Sequence, residues 1–564
     1  MSPKLNRLAL FVLLPALAAS HAQVQHSASL NSEQHTARAF DAAKKQGAPE
    51  LYAFLASMPK GADLHMHLSG AIYAETFLAE AVQLGLCIDP AALKLTQPVS
   101  PATCADGNVP AATVLKNQHL YDALVDAFSM RGFVPTPGVT GHDQFFATFD
   151  RFSGLGSFMG PWLDEVATRA AAQNEQYLEI MTTPPFGHAA GLGYQIGWPA
   201  DATQSVSVEE LSALRTALLA AGIKQEVPVD RQQLTDALAA RDKMEQCDVA
   251  EKAAPACHVQ IHFLYQILRA FPPEQVFAQT LLGFEVAAAT QSASPESPDV
   301  VGINFVQPED ARLAMQDYTL QMQMLDYLHS VYPNVKISLH AGELAPGLVP
   351  YEGMSFHIRE AVELGHASRI GHGVDVLYET DAAALLKEMA AQHIMVEINL
   401  TSNDGILGIK GSQHPLHAYM AAHVPVALST DDEGVSRIDL THEYVRGAED
   451  QGLSYLDLKQ MARTSLEHAF LAGESLWAAP DDFSHRKQEC AGPVVSLAPV
   501  VPVQAPIAPS APAAPTEPPA IAPPAAAPVE PAPDPCQVFL KANERAAQQY
   551  ELERRLAAFE AAQP

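Results

Sequence analysis

Eight short apolar runs recur along the chain, and a stretch with helical spacing separates each run from the next. Short buried strands that alternate with helices predict a parallel sheet. Eight such units favour an α/β fold in which the sheet closes as a TIM-type (β/α)8 barrel. The predicted strands are 61–67, 176–182, 258–265, 300–306, 335–339, 369–371, 394–400 and 424–428.

The first run ends in two histidines, His65 and His67, that are one residue apart. Residues two apart on a β-strand point to the same face of the sheet, so both imidazoles are aimed at one point. This arrangement suits a metal ion. The alternative is a pair of surface histidines on an edge strand.

Three later motifs each end an apolar run with a metal ligand or an acid-base residue. They are Ser338-Leu-His-Ala-Gly-Glu343, Arg369-Ile-Gly-His-Gly373 and Leu428-Ser-Thr-Asp-Asp432. In a (β/α)8 barrel the chemistry takes place at the carboxyl ends of the strands. The three motifs are therefore expected at the same end of the barrel as the histidine pair.

Together the four motifs resemble the adenosine deaminase family of metal-dependent barrels, over roughly residues 55–480. The resemblance implies a (β/α)8 barrel with one catalytic zinc per chain. The reaction it implies is the hydrolytic removal of the 6-amino group of a purine nucleoside. Adenosine or deoxyadenosine would become inosine or deoxyinosine, with release of ammonia.

The same resemblance assigns a role to each matched residue. Glu343 matches the residue that protonates the purine ring nitrogen N1, and His372 matches the one that positions the attacking water and helps to deprotonate it. Asp432 matches a carboxylate that binds N7. The residues that match the zinc ligands are His65, His67, His340 and Asp431.

The implied chemistry requires these residue types. Three imidazoles and one carboxylate are ordinary zinc ligands, and zinc makes hydroxide available near neutral pH. Glu343 must be protonated in order to donate, which predicts a pKa raised by burial. Taken alone, Glu343 could be a helix-capping residue and His372 a core histidine. The presence of the other motifs favours a catalytic role for both residues.

Two positions depart from the family pattern at the sugar end of the expected substrate. Ser69 stands where the family usually has an acidic residue that reaches the ribose 5′-hydroxyl. Gln307 or Pro308 stands where the family has a glycine after the fourth strand. We predict Ser69 and Gln307 as substrate contacts, with tolerance of changes at the 5′ position.

The charge of the chain excludes one class of partner. It has 34 Lys and Arg against 64 Asp and Glu, a net charge of −30, which repels phosphate backbones and anionic membranes. We expect neither nucleic-acid binding nor a membrane span, since no stretch after the N-terminus is long and apolar enough. A small purine nucleoside is the expected partner.

The N-terminus predicts a signal peptide over residues 1–22. Lys4 and Arg7 precede an apolar stretch at 8–19, and small residues precede a cut after Ala22. The mature protein is therefore expected to be periplasmic or secreted, where disulfides form. The six cysteines allow 15 pairings. Proximity suggests Cys87–Cys104, Cys247–Cys257 and Cys490–Cys536.

The expected barrel unit covers 23–492, with insertions at about 87–140 and 187–256. The first insertion reads as irregular and the second as two helices. Residues 493–535 hold 15 prolines in 43 positions, which predicts a flexible loop. Residues 536–564 predict a C-terminal helix whose apolar face packs onto the barrel.

Two other functions compete with a nucleoside deaminase. The first is another metal-dependent hydrolase or aminopurine deaminase on the same barrel, because fold alone does not fix the reaction. The second is a non-catalytic binding protein. Glu343 and His372 favour an enzyme, because a binding protein has no need of an acid and a base.

Overall fold

The computed structural model describes residues 32–563, apart from 102, 156, 157, 201, 203, 204, 296, 298 and 493–533. The predicted signal peptide and all but the last two residues of the Pro/Ala-rich segment lie outside the described residues. The fold prediction is confirmed, since eight parallel strands form one sheet in chain order. They are β1 (Gly61–His67), β2 (Glu175–Thr182), β3 (Gln260–Leu268), β4 (Val300–Val306), β5 (Lys336–Ala341), β6 (Arg369–His372), β7 (Met395–Ile398) and β8 (Val426–Leu428).

The sheet closes between β1 and the residues that follow β8. Asp431 N–H donates to the His65 carbonyl at 2.8 Å, and His67 N–H donates to the Asp431 carbonyl at 3.3 Å. A parallel bridge joins Met66 to Asp431. The closure therefore fixes the backbone of Asp431 beside that of the histidine pair.

Burial explains why these segments are strands. Every residue of β1, β2 and β4 is buried, as expected for a parallel sheet with packed side chains inside and helices outside. Val300 to Val306 and Ile394 to Ile398 supply the β-branched residues that suit such a sheet.

Helices connect the strands and build the insertions. The first is residues 32–46. The others are Ala48–Ser57, Ala74–Gln83, Ala111–Val114, Gln118–Ala127, Gly141–Arg151, Met159–Ala172, Gly187–Ile196, Val208–Ala220, Val227–Met244, Pro273–Ala293, Arg312–Gln316, Tyr318–Val331, His357–Glu363, Ala382–Ala391, Leu400–Leu407, Leu416–Ala421, Glu433–Ser436, Leu440–Asp450, Tyr455–Glu467, Pro535–Ala542 and Glu544–Ala562.

Both insertions are more ordered than the sequence predicts. In the first, Cys87–Asp89 pairs with Lys94–Thr96 and with Val109–Pro110 in a small sheet. In the second, Gly187–Ile196 is a helix additional to the two predicted ones. The sequence gives little sign of these short elements, because the three strands are held by pairing with one another and the helix by packing on Pro273–Ala293, rather than by their own propensity.

Near the C-terminus, one predicted helix is two, separated at Asn543. The Asn543 side chain accepts a hydrogen bond from Glu474 N–H, which fixes the break. Leu552 and Leu556 of the second helix share a core cluster with residues of β1, β2 and β7, at the amino end of the barrel. The three disulfides are those that sequence proximity suggests: Cys87–Cys104, Cys247–Cys257 and Cys490–Cys536.

A second short antiparallel pair, Trp477–Ala479 with Asp482–Arg486, lies beside the Cys490–Cys536 disulfide. Among the described residues, no helix combines the length and the apolar character that crossing a membrane requires.

Candidate active site

Four side chains that the sequence predicts as metal ligands converge at the carboxyl end of the barrel. The Nε2 atom of His340 lies 3.1 Å from Nε2 of His65 and 3.1 Å from Nε2 of His67. Oδ1 of Asp431 lies 3.6 Å from Nε2 of His65 and 3.3 Å from Nε2 of His67. All four residues are buried and arranged to hold one ion.

Each ligand histidine is oriented by a partner on its other ring nitrogen. Nδ1 of His65 lies 2.6 Å from Glu397 Oε2, and Nδ1 of His340 lies 2.7 Å from Asn304 Oδ1. Nδ1 of His67 lies 3.4 Å from Gln266 Oε1. Since these oxygens accept, Nδ1 donates in each ring and Nε2 keeps its lone pair for a metal.

The carboxylate behind His65 is itself fixed. Arg369 Nε donates to Glu397 Oε1 at 2.6 Å, and Ser338 Oγ donates to the same oxygen at 3.0 Å. Burial opposes its ionisation, but the charge of Arg369 and the hydrogen bond from His65 lower the pKa of Glu397 to about 2. Arg369 also pairs with Glu179 at 2.6 Å, so two carboxylates hold one buried guanidinium.

The donor set fits a divalent cation. The Nε2 lone pair of His340 lies 3.1 Å from those of His65 and His67, and such lone pairs repel unless a positive charge lies between them. Burial alone would lower the pKa of His65, yet the carboxylates of Asp431 and Glu397 raise it to about 10. The position therefore demands a positive charge, either a proton on His65 or a metal ion that replaces it.

Gly371, from the Gly-His-Gly motif, is required by a close approach. A Cβ atom at this position would lie 2.5 Å from Cε1 and 2.8 Å from Nδ1 of His65. The absence of a side chain thus leaves room for the ligand imidazole. The motif therefore supplies His372, and its Gly371 leaves room for the metal ligand His65 from β1.

Glu343 lies two residues after β5 and is 7% exposed. Burial, followed by repulsion from Asp431, raises its pKa well above the usual range. Its backbone N–H donates to Glu309 Oε2 at 2.7 Å. His357 and Arg269 keep Glu309 ionised against the effect of burial and lower its pKa to about 2. Burial and the charge of Asp431 therefore favour the protonated form of the Glu343 carboxyl group.

His372 ends a hydrogen-bond chain that fixes its tautomer. The backbone N–H of Leu416 donates to His414 Nδ1, so the proton of His414 is on Nε2 and is donated to Asn403 Oδ1 at 3.0 Å. The Asn403 amide then donates to His372 Nδ1 at 2.9 Å. His372 therefore carries its own proton on Nε2, which faces Asp431 Oδ2 at 3.8 Å. Burial lowers the pKa of His372 to about 3, so the ring is neutral.

Asp432 packs over Gly70, which lies three residues after His67. A Cβ atom on Gly70 would lie 1.4 Å from Oδ1 of Asp432. That oxygen is buried, without a hydrogen-bond partner among the described residues. Burial and then the neighbouring Asp431 raise the pKa of Asp432 well above its usual range. An unpartnered polar atom at the wall of a cavity is available to a ligand.

A cavity of about 460 Å³ opens beside the metal ligands, within the range of small-molecule sites. The sequence leaves Gln307 and Pro308 as alternatives for one wall position. Gln307 has φ of +84°, a backbone region that favours glycine and that proline cannot adopt. Gln307 is therefore the residue in the glycine-like conformation.

The cavity is lined by every predicted site residue except His65, and also by Phe145, Phe146, Phe149, Asp150, Thr183, Gln266, Leu268, Val306 and Pro308.

Sequence reasoning missed the residues that support the ligands and the acid. Glu397 and Asn304 are polar residues inside otherwise apolar strands, in Met395–Ile398 and Val300–Val306. A polar residue in a fully buried strand needs a buried partner, and this signal could have marked both. Nothing local marks Asn403 or His414, because their role depends on how the helix Leu400–Leu407 and the segment after it pack against His372.

Comparison with known proteins agrees with the site. The family model for adenosine deaminase matches residues 164–478. An adenosine deaminase from Shewanella loihica is 37% identical over 147 residues, which cover 25% of this chain and 41% of the relative. One from Clostridium perfringens is 31% identical over 140 residues, 25% of this chain and 39% of the relative. The chain thus spans about two fifths of the length of the curated relatives it matches.

Two solved structures resemble the chain over most of its length. An adenine deaminase from Arthrobacter aurescens has a TM-score of 0.46 at 16% identity, with 73% of this chain and 94% of that one covered. An N6-mAMP deaminase from Arabidopsis has a TM-score of 0.45 at 21% identity, with 74% and 95% covered.

Proposed function

This chain belongs to the adenosine deaminase family, and we propose that it removes the 6-amino group of a purine nucleoside by zinc-dependent hydrolysis. The observation that carries the proposal is the juxtaposition of two features at one cavity. Three imidazole lone pairs and Asp431 demand a cation, and Glu343 offers a protonated carboxyl group beside them. A metal-dependent deamination of an aromatic ring needs both.

His65, His67, His340 and Asp431 would hold the zinc ion. Bound there, zinc would supply hydroxide near neutral pH, because it lowers the pKa of water from about 15.7 to ~7. Glu343 supplies a proton to the ring nitrogen next to the carbon under attack. That transfer lets the ring accept electrons from the attacking oxygen, and the burial that raises the pKa of Glu343 favours the protonated form that the transfer needs.

We assign a positioning role to His372. In the tautomer that the Asn403 and His414 chain favours, Nε2–H donates a hydrogen bond and orients the attacking water. The predicted role of His372 as a base requires the other tautomer, with the Asn403 amide turned over, and remains a prediction. Asp432 offers its unpartnered Oδ1 to ring nitrogen N7; its raised pKa favours a protonated carboxyl group that can donate there.

The test is ammonia release from the zinc-loaded full chain. Adenosine, deoxyadenosine, adenine, adenosine monophosphate and 5′-methylthioadenosine are incubated with the protein, and ammonia is followed by a coupled assay. Turnover of a nucleoside above that of adenine supports the proposal. If none of the five purines releases ammonia, the deaminase assignment fails and a different hydrolase on the same barrel replaces it.

We also propose that the protein is exported. Three disulfides, which persist in oxidising compartments, support this proposal together with the basic and apolar start of the sequence. Cell fractionation and N-terminal sequencing of the native protein test it. A product that begins at residue 23 in the exported fraction supports export, and an intact N-terminus in the cytosol refutes it.

A further inference from the structure

A cavity of about 360 Å³ lies at the amino end of the barrel, the end opposite the metal ligands. Its lining includes Lys336, the first residue of β5, and Ser368 and Ile394, which directly precede β6 and β7. The helix Glu544–Ala562 contributes Arg545. We call this cavity the basal chamber. It shares no lining residue with the cavity at the metal ligands, as far as the described residues go.

Two cations of the basal chamber have no acidic partner. Neither Lys336 nor Arg545 forms an ion pair with any residue that the structure describes, although the chain has 64 Asp and Glu against 34 Lys and Arg. Lys336 is accessible to solvent, yet desolvation and then the charge of Arg545 lower its pKa. The two cations therefore lie close enough to repel each other, and a shared anion would relieve that repulsion.

The guanidinium group of Arg545 is also incompletely hydrogen-bonded. Its Nη2 donates to the Leu471 carbonyl at 3.1 Å. Within the described part of the chain, Nε and Nη1 have no acceptor, and Nε is buried. Burial is the largest cause that lowers the pKa of this arginine. Donors of a partly buried cation call for acceptor oxygens from protein, water or a bound anion, and the protein supplies one.

The one acidic residue among the described lining residues is held by other groups. Glu467 Oε2 accepts from Ser475 Oγ at 2.6 Å and from Gln549 Nε2 at 2.6 Å. Its charge is close enough to raise the pKa of Arg545, but less than burial lowers it. Glu467 therefore neutralises part of the charge of the chamber and leaves two cations against one carboxylate.

Histidines make up a further part of the lining, and two acids lie behind them. Asp481 lies 2.7 Å from Nδ1 of His393 and 2.8 Å from Nε2 of His468, and Asp326 lies 2.7 Å from Nε2 of His366. Neither aspartate lines the chamber. The described groups that could hold a metal ion include none of these histidines. The charge and the donors of the chamber thus favour an anion over a metal ion.

We propose that the basal chamber binds a small oxyanion of the phosphate or sulfate type, shared by Lys336 and Arg545. The lysine supplies a compact charge, the arginine supplies planar N–H donors, and the hydroxyl group of Ser368 supplies a neutral donor. The site is separate from the proposed reaction and does not depend on it. Its occupant would join the first residue of β5 to the C-terminal helix.

Calorimetry on the zinc-loaded full chain measures the binding of inorganic phosphate, sulfate and glycerol 3-phosphate near neutral pH, at an ionic strength matched with sodium chloride. We expect one anion per chain in the basal chamber. Tighter binding of glycerol 3-phosphate than of phosphate supports a phosphate ester as the source of the anion, and the reverse order supports a free oxyanion. Binding of none of the three overturns the proposal.

Variants separate the basal chamber from the zinc ion, which can also bind phosphate. Lys336→Gln and Arg545→Gln should each raise the dissociation constant of phosphate at least ~10-fold, the lower range for loss of a hydrogen bond to a charged group. Lys45→Gln removes the same charge at an exposed position away from the chamber and should leave the constant unchanged. Unchanged phosphate affinity in Lys336→Gln overturns the proposal even if Arg545→Gln does not fold.

Melting temperatures give a second readout with an opposite sign in the two salts. In chloride, Lys336→Gln should not lower the melting temperature, because it removes a repulsion between cations. In phosphate, the intact chain should melt at a higher temperature than in chloride, since the anion binds the folded state, and the variant should lose this gain. An equal gain in the intact chain and in Lys336→Gln contradicts an anion at Lys336.

Discussion

Glu397→Gln isolates the support of one metal ligand without changing the shape of the site. The glutamate accepts from His65 Nδ1 through one oxygen and from Arg369 and Ser338 through the other. Glutamine has one oxygen and one amino group, so it cannot accept on both sides. If its amino group faces His65, Nδ1 must accept and the ring proton moves to Nε2, the nitrogen that the metal needs.

The expected magnitude follows from the lost contact. A hydrogen bond to a charged group contributes ~1.5–3 kcal/mol, and loss of a partner behind a metal ligand lowers metal affinity by ~10–100-fold. We therefore expect the zinc dissociation constant to rise by about this factor. Competition with a chromophoric chelator measures it, and elemental analysis confirms the stoichiometry.

Glu179→Gln is the matched control, because Glu179 is the other carboxylate on the same guanidinium, 2.6 Å from Arg369. It removes an equal charge beside Arg369 and has no contact with His65. Both variants should unfold at lower temperature, since each breaks a buried ion pair, but only Glu397→Gln should weaken zinc binding. If the two variants weaken zinc equally, or neither does, the tautomer argument is wrong.

Four further predictions follow from the site and the C-terminus. Asp431→Ala should abolish both zinc retention and turnover. If metal analysis finds active protein that contains no zinc, the proposed set of zinc ligands is wrong. Glu343→Gln should slow turnover at least ~10²-fold while zinc stays bound. The intact enzyme should lose activity as the pH rises through the raised pKa of Glu343, because the carboxyl group then loses its proton. This loss of activity at high pH should be absent in the variant. Gly70→Ala should displace Asp432, because the new Cβ would lie 1.4 Å from Oδ1 of Asp432. We expect a lower kcat/KM with unchanged zinc content. An unchanged kcat/KM would contradict a substrate contact by Asp432. Deletion of 493–564 should lower the melting temperature by exposing the surface under Leu552 and Leu556, whereas a Gly-Ser linker in place of 493–533 should not; equal melting temperatures refute the docking.

The sequence predicts the metal ligands because each is marked by a local pattern. His-x-His at 65–67 needs only the period of a strand, and the motifs with His340 and Asp431 end apolar runs where a barrel has its chemistry. The eight strands were predictable for a similar reason, since a buried strand such as Val300–Val306 contrasts with its helical neighbours.

The support of the ligands could not be predicted in the same way. Glu397 reaches His65 across 332 positions of sequence, and Asn304 reaches His340 across 36. Which strand faces which ligand depends on barrel closure and stagger, and these are properties of the whole sheet. Short elements such as Cys87–Asp89 were missed because tertiary contacts, and not propensity, define them.

The support of His65 continues from the active site to the opposite end of the barrel. Arg369, which holds Glu397, donates to the His468 carbonyl at 3.0 Å, and its guanidinium lies 3.9 Å from the centre of the Phe470 ring. Phe470 N–H in turn donates to Glu179 at 2.6 Å. The next residues, Leu471 and Ala472, accept from Arg545 of the C-terminal helix Glu544–Ala562. Because these contacts are buried or partly buried and follow one another without a gap, a helix remote from the metal ligands helps to fix the guanidinium, the carboxylate and the tautomer of His65.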